Sequence, residues 1–153
     1  MSRRKVERAD LLGESELMVD ALCDDIKALM SGYNQALVDL QQALRESQPR
    51  EHGAILLELN RCGYGCLGCP HPIWQKWISK PSSRALSGRA WVATRMKRPL
   101  AAATAMGRPE ETLTLIVEAQ KVVEKRTRLL EHLKRVNQSI AHTRNAASVS
   151  NAG

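Results

Sequence analysis

Apolar residues along the chain fall into two long helical patterns separated by a stretch of different rhythm. From Ser15 to Glu46 they recur every seven residues. One row is Leu12, Val19, Ile26, Tyr33 and Leu40, a second is Leu22, Leu29, Ala36 and Ala43, and a third is Cys23, Met30, Leu37 and Leu44. Two such rows make a coiled-coil seam, and a third widens it toward a bundle or an antiparallel hairpin. Ser15 is placed to cap this first helix and Pro49 to end it, so it is expected over residues 15–48. Cys23, inside the apolar stripe, reads as a small buried hydrophobe.

The second pattern starts at Pro109, with Glu110 and Glu111 suited to the positive end of a helix. Its rows are Leu115, Val122, Leu129 and Val136; Ile116, Val123 and Leu130; Ala119, Leu133 and Ile140. Arg126 and Asn137 interrupt them, and polar residues in a seam commonly fix register or partner number. This helix is expected over residues 109–144, with a disordered tail at 145–153 and a basic arm at 1–14. The two helices would each span ~50 Å at ~1.5 Å per residue.

Between them the seven-residue rhythm is lost. Residues 52–60, 72–78 and 89–97 are short, apolar or alternating runs bounded by Gly, Pro and Ser, which predicts three antiparallel strands. Residues 99–107 read as a small-residue connector. The layout suggests a helical hairpin with the strand module at its tip.

Charge changes this picture. The chain carries +7 overall, but residues 1–58 are net −4 and residues 59–109 hold nine Lys/Arg with no acid. All three tryptophans lie in that basic block, interleaved with Lys76, Lys80, Arg84, Arg89, Arg95, Lys97 and Arg98. Basic groups attract phosphate, and exposed aromatics such as Trp77 and Trp91 can stack on bases.

The same block opens on Cys62-Gly-Tyr-Gly-Cys66-Leu-Gly-Cys69-Pro-His71. Three sulfurs and one nitrogen form a closed structural zinc set, with His52 as the alternative to His71. Cys-x3-Cys-x2-Cys also admits an iron–sulfur cluster. No apolar leader or membrane-length run is seen, so a cytoplasmic location is expected, where clustered thiols favour metal over disulfide. The expected fold is mainly α: an antiparallel coiled-coil-like helical hairpin, with a small zinc-bound three-stranded β-module at residues 52–98 inserted between the helices. Two helices with such wide stripes would leave apolar surface uncovered, so a homodimer is expected.

No catalytic set is evident. The basic block lacks carboxylates, the metal set has no open position, and no phosphate-binding glycine loop follows a strand. A non-enzyme without a small-molecule substrate is therefore expected. The string Arg61-Cys62-Gly63, Cys66, Cys69-Pro70-His71-Pro72-Ile73-Trp74, followed by an Arg/Lys-rich strand, resembles small Cys/His β-modules in uncharacterised proteins of bacterial plasmids and transposons. The cysteine spacing differs. The resemblance implies a mobile-element origin and nucleic-acid handling. Together these features point to a zinc-stabilised nucleic-acid-binding accessory or regulatory protein, with DNA favoured over RNA as its ligand. The alternatives are a scaffold whose basic module takes an acidic protein partner, and an iron–sulfur or redox carrier.

Overall fold

A computed structural model describes residues 8–150, with side chains for 13–147. The order is α1 (Arg8–Glu46), β1 (Ile55–Asn60), β2 (His71–Pro81), β3 (Arg89–Arg95), α2 (Pro99–Ala105) and α3 (Glu110–Ser150). The chain divides into two units, residues 1–32 and 33–153. No described helix is long and apolar enough to cross a membrane.

Each long helix outruns its expected range at one end, α1 at its start and α3 at its finish. α1 begins at Arg8, so Ser15 lies inside the helix instead of capping it. Gly13 does not stop it, since a glycine costs only about 1 kcal/mol relative to alanine inside a helix. α3 continues to Ser150, through residues expected to be a disordered tail. Asn145-Ala-Ala-Ser-Val-Ser contains no glycine or proline to break it. Residues 1–7 of the expected arm and 151–153 of the expected tail lie outside the described residues. The supposed connector contains α2, because Pro99 starts a helix well and the alanines after it are strong helix formers.

In the first unit, α1 leaves Leu17, Met18, Val19, Leu22 and Leu29 exposed. Cys23 is exposed too, not the buried small hydrophobe expected from its row.

The second unit holds the core. β1, β2 and β3 form the expected three-stranded antiparallel sheet in sequential order. β1 starts at Ile55, later than expected, because Gly53 turns the chain at φ +87°. Ile55 opposes Lys76 and Leu57 opposes Trp74, while Trp77 opposes Ala93. Side chains alternate between faces along a strand. Ile55, Leu57, Trp74 and Met96 therefore share the inner face, where they meet Leu37 and Leu44 of α1, Ala103 of α2, and Ile116 and Ala119 of α3. Burying each large aliphatic here stabilises by about 1.5–3 kcal/mol. Of the heptad rows, Leu37 and Leu44 are the α1 positions that are fully buried, and what covers them is a core shared by sheet and helices. Periodicity alone reports that a face is apolar, not whether a helix or a sheet covers it.

Side chains of α1 and the turn after it close the outer edge of β1. Gln48 Oε1 accepts from the Ile55 amide at 3.0 Å, and its Nε2 donates to the Ile55 carbonyl at 2.6 Å. Gln41 donates to the Leu57 carbonyl at 2.9 Å. Two glutamines thus replace a neighbouring strand, which removes an open edge. Ser47 bonds Thr112 at 2.8 Å, and Arg126 donates to Asn34 at 2.8 Å, so these stretches of α1 and α3 run in opposite directions.

Candidate metal centre and basic sheet face

The loop 61–70 joins β1 to β2, and its ends are tied because Asn60 pairs with His71. Positive φ at Gly63 (121°) and Gly65 (81°) folds the ten-residue loop back on itself, a conformation that a Cβ would oppose. The Cys69–Pro70 peptide is cis. Cys62, Cys66, Cys69 and His71 offer four ligand atoms that all lie within 4.8 Å of one another. Cys62 Sγ is 3.3 Å from Cys69 Sγ, and His71 Nε2 is 3.3 Å from both Cys62 Sγ and Cys66 Sγ. A tetrahedral ion with metal–sulfur bonds of ~2.3 Å holds its sulfurs ~3.8 Å apart, inside this range. The group could hold a metal ion.

The backbone supports the sulfurs. The Gly68 amide donates to Cys66 Sγ at 3.4 Å and the Cys62 amide to Cys69 Sγ at 3.3 Å. The Cys66 thiol is lowered to about 6, first by the hydrogen bond with Cys62, then by the Gly68 amide and His71. Cys62 is pushed up to about 12, chiefly by hydrogen bonding to Cys66 and Cys69. A bound dication would displace the thiol protons that remain.

His52 is not near this group. Its Nδ1 accepts from the Ser79 amide at 3.0 Å. Ser79 stands eight residues along β2 from His71, ~26 Å away at ~3.3 Å per residue.

Nor does the loop project from a free tip. Arg126, midway along α3, donates to the Gly68 carbonyl at 3.0 Å, which holds the loop against the side of the helices.

The candidate nucleic-acid residues divide. Trp77, Arg89, Trp91 and Arg95 occupy the outer face of the sheet, away from the core. Trp91 is 49% exposed. It lies diagonally from Trp77, a neighbour spacing of roughly 7–8 Å. Lys76 and Lys80 alternate to the opposite face, Arg84 sits in the turn between β2 and β3, and Lys97 and Arg98 follow β3. The third tryptophan, Trp74, packs against the core.

Two arginines outside the basic block join the outer face. Arg50 stacks over the Trp77 ring, 5.5 Å from its centroid, and Arg45 pairs with Glu58 at 3.3 Å. With Leu56 and Trp77 they line a cavity of about 360 Å³. Sequence reading missed them because they sit in an acidic segment, next to the helix-ending Pro49. Arg126 was legible only as an interruption of an apolar row. No family model, curated protein or solved structure matches the chain.

Proposed function

We propose that this is a zinc-stabilised, non-enzymatic nucleic-acid-binding protein that takes DNA strands on the outer face of its sheet. The observation that carries this reading is the pairing of Trp77 and Trp91 on a face shared with Arg89 and Arg95, with Arg50 over Trp77. Such a face offers stacking to unpaired bases and cations to their phosphates. The nearest acid on that face, Glu58, is paired with Arg45. Zinc is favoured because four protein ligands at single-ion spacing make a closed structural site, without the open position that hydrolytic chemistry needs. A multi-iron cluster would spread its ligands over several metals. An accessory or regulatory role, in a mobile element, rests on the resemblance carried by Arg61–Trp74.

The test is binding of a thymidine oligonucleotide to the full chain at ~50 mM salt, where phosphate attraction is strong. About four phosphate contacts predict a slope of log K against log salt of roughly −3, at ~0.7 per contact for single strands. Trp91→Ala should lose ~1–3 kcal/mol of affinity while retaining its metal. If neither single-stranded nor duplex DNA binds, the reading fails, and the basic face belongs to an acidic protein partner.

A further inference from the structure

Arg126 is 2% exposed, and no carboxylate of the described residues lies within 4.0 Å of it. Its guanidinium donates to neutral oxygens: Asn34 Oδ1 at 2.8 Å on α1 and the Gly68 carbonyl at 3.0 Å in the cysteine loop. A buried cation with neutral partners alone is costly, because hydrogen bonds to dipoles replace only part of its lost hydration. The Gly68 carbonyl that it holds is next in sequence to Cys69, one of the four candidate ligands. Three thiolates, one neutral imidazole and one dication sum to a single negative charge. That charge would lie on the sulfurs beside the guanidinium.

We propose that Arg126 is the positioning residue and counter-charge of the loaded metal centre, so that metal binding and the docking of the cysteine loop on α1 and α3 form one coupled equilibrium. This rests on the metal reading above. Without metal, only the glycine turns and the amide–sulfur hydrogen bonds hold the three cysteines together. The loop then leaves the arginine, which has to find water, and the packing around residues 34–47 and 112–126 loosens. Metal reverses each step. Coupling is reciprocal, so whatever factor Arg126 adds to metal affinity, metal returns to the docking of the helices. The same residue explains why an arginine interrupts an apolar row: it follows Thr112, Ile116 and Ala119 along the buried stripe and ends it at the loop.

Cobalt(II) separates charge from simple hydrogen bonding, since its sulfur charge-transfer band reports the ligand set directly. Cobalt affinity is measured for the full-length native chain and for Arg126→Lys, Arg126→Gln and Arg126→Met. Loss of an outer partner of a metal site weakens affinity by about 10- to 100-fold, and that loss is expected for Gln and Met. Lys keeps the charge and should retain most of the affinity with an unchanged band. Hydrogen exchange on the native chain should slow at residues 34–47 and 112–126 when metal is added, and the slowing should shrink in Arg126→Met. A Gln variant that binds cobalt as tightly as the native chain overturns the proposal, as does equal loss in Lys and Met. If the native chain itself takes no cobalt, the metal reading beneath it fails instead.

Discussion

Gln48 is buried, and its amide makes three hydrogen bonds, to the Leu44 carbonyl and to both backbone groups of Ile55. It does the work of a missing strand. Gln48→Ala strands the Ile55 amide and carbonyl in the core, and leaving such groups unsatisfied costs about 1–3 kcal/mol. A urea transition on the full chain should move to a lower midpoint by that amount, and an unchanged midpoint would show that water replaces the amide. Nothing in the sequence distinguishes this glutamine from any polar residue before a proline. The ligands were different: three cysteines and a histidine in ten residues were legible, because few other roles gather sulfur so tightly. His71 was separable from His52 only once β2 placed them at opposite ends of a strand.

At the scale of elements, the strands and both long helices could be read from period and breakers. Their covering could not. Leu22 and Leu37 stand in neighbouring heptad rows, yet Leu37 is buried under the sheet-and-helix core and Leu22 is exposed. α2 was missed because Ala101, Ala102 and Ala103 look like linker filler, although alanine favours helix. Val19, Leu22 and Leu29 of α1 are exposed, and we propose that a second copy of the chain covers them. We expect light scattering to report at least a dimer at micromolar concentration. Leu22→Lys with Leu29→Lys should shift it to monomer, since burying two unpaired ammonium groups is unfavourable. A native chain that scatters as a monomer would rule out this assembly.

For the whole molecule, one arrangement connects metal, core and basic face. The sheet presents its apolar side to the helices and its Trp77–Trp91 side outward, and the cysteine loop closes one end of its first hairpin. The charge asymmetry was visible in the sequence, but its division between two faces depends on strand register, which a shift of one residue would invert. Removing the metal should therefore loosen the loop and, through Arg126, the second unit as a whole. The metal is central to this arrangement, and metal analysis of the full chain purified without added ions tests for it. Native mass spectrometry should give one zinc per chain, lost in Cys62→Ser, Cys66→Ser and Cys69→Ser and retained in Cys23→Ser. A native chain without metal, or one brown with iron, would contradict it.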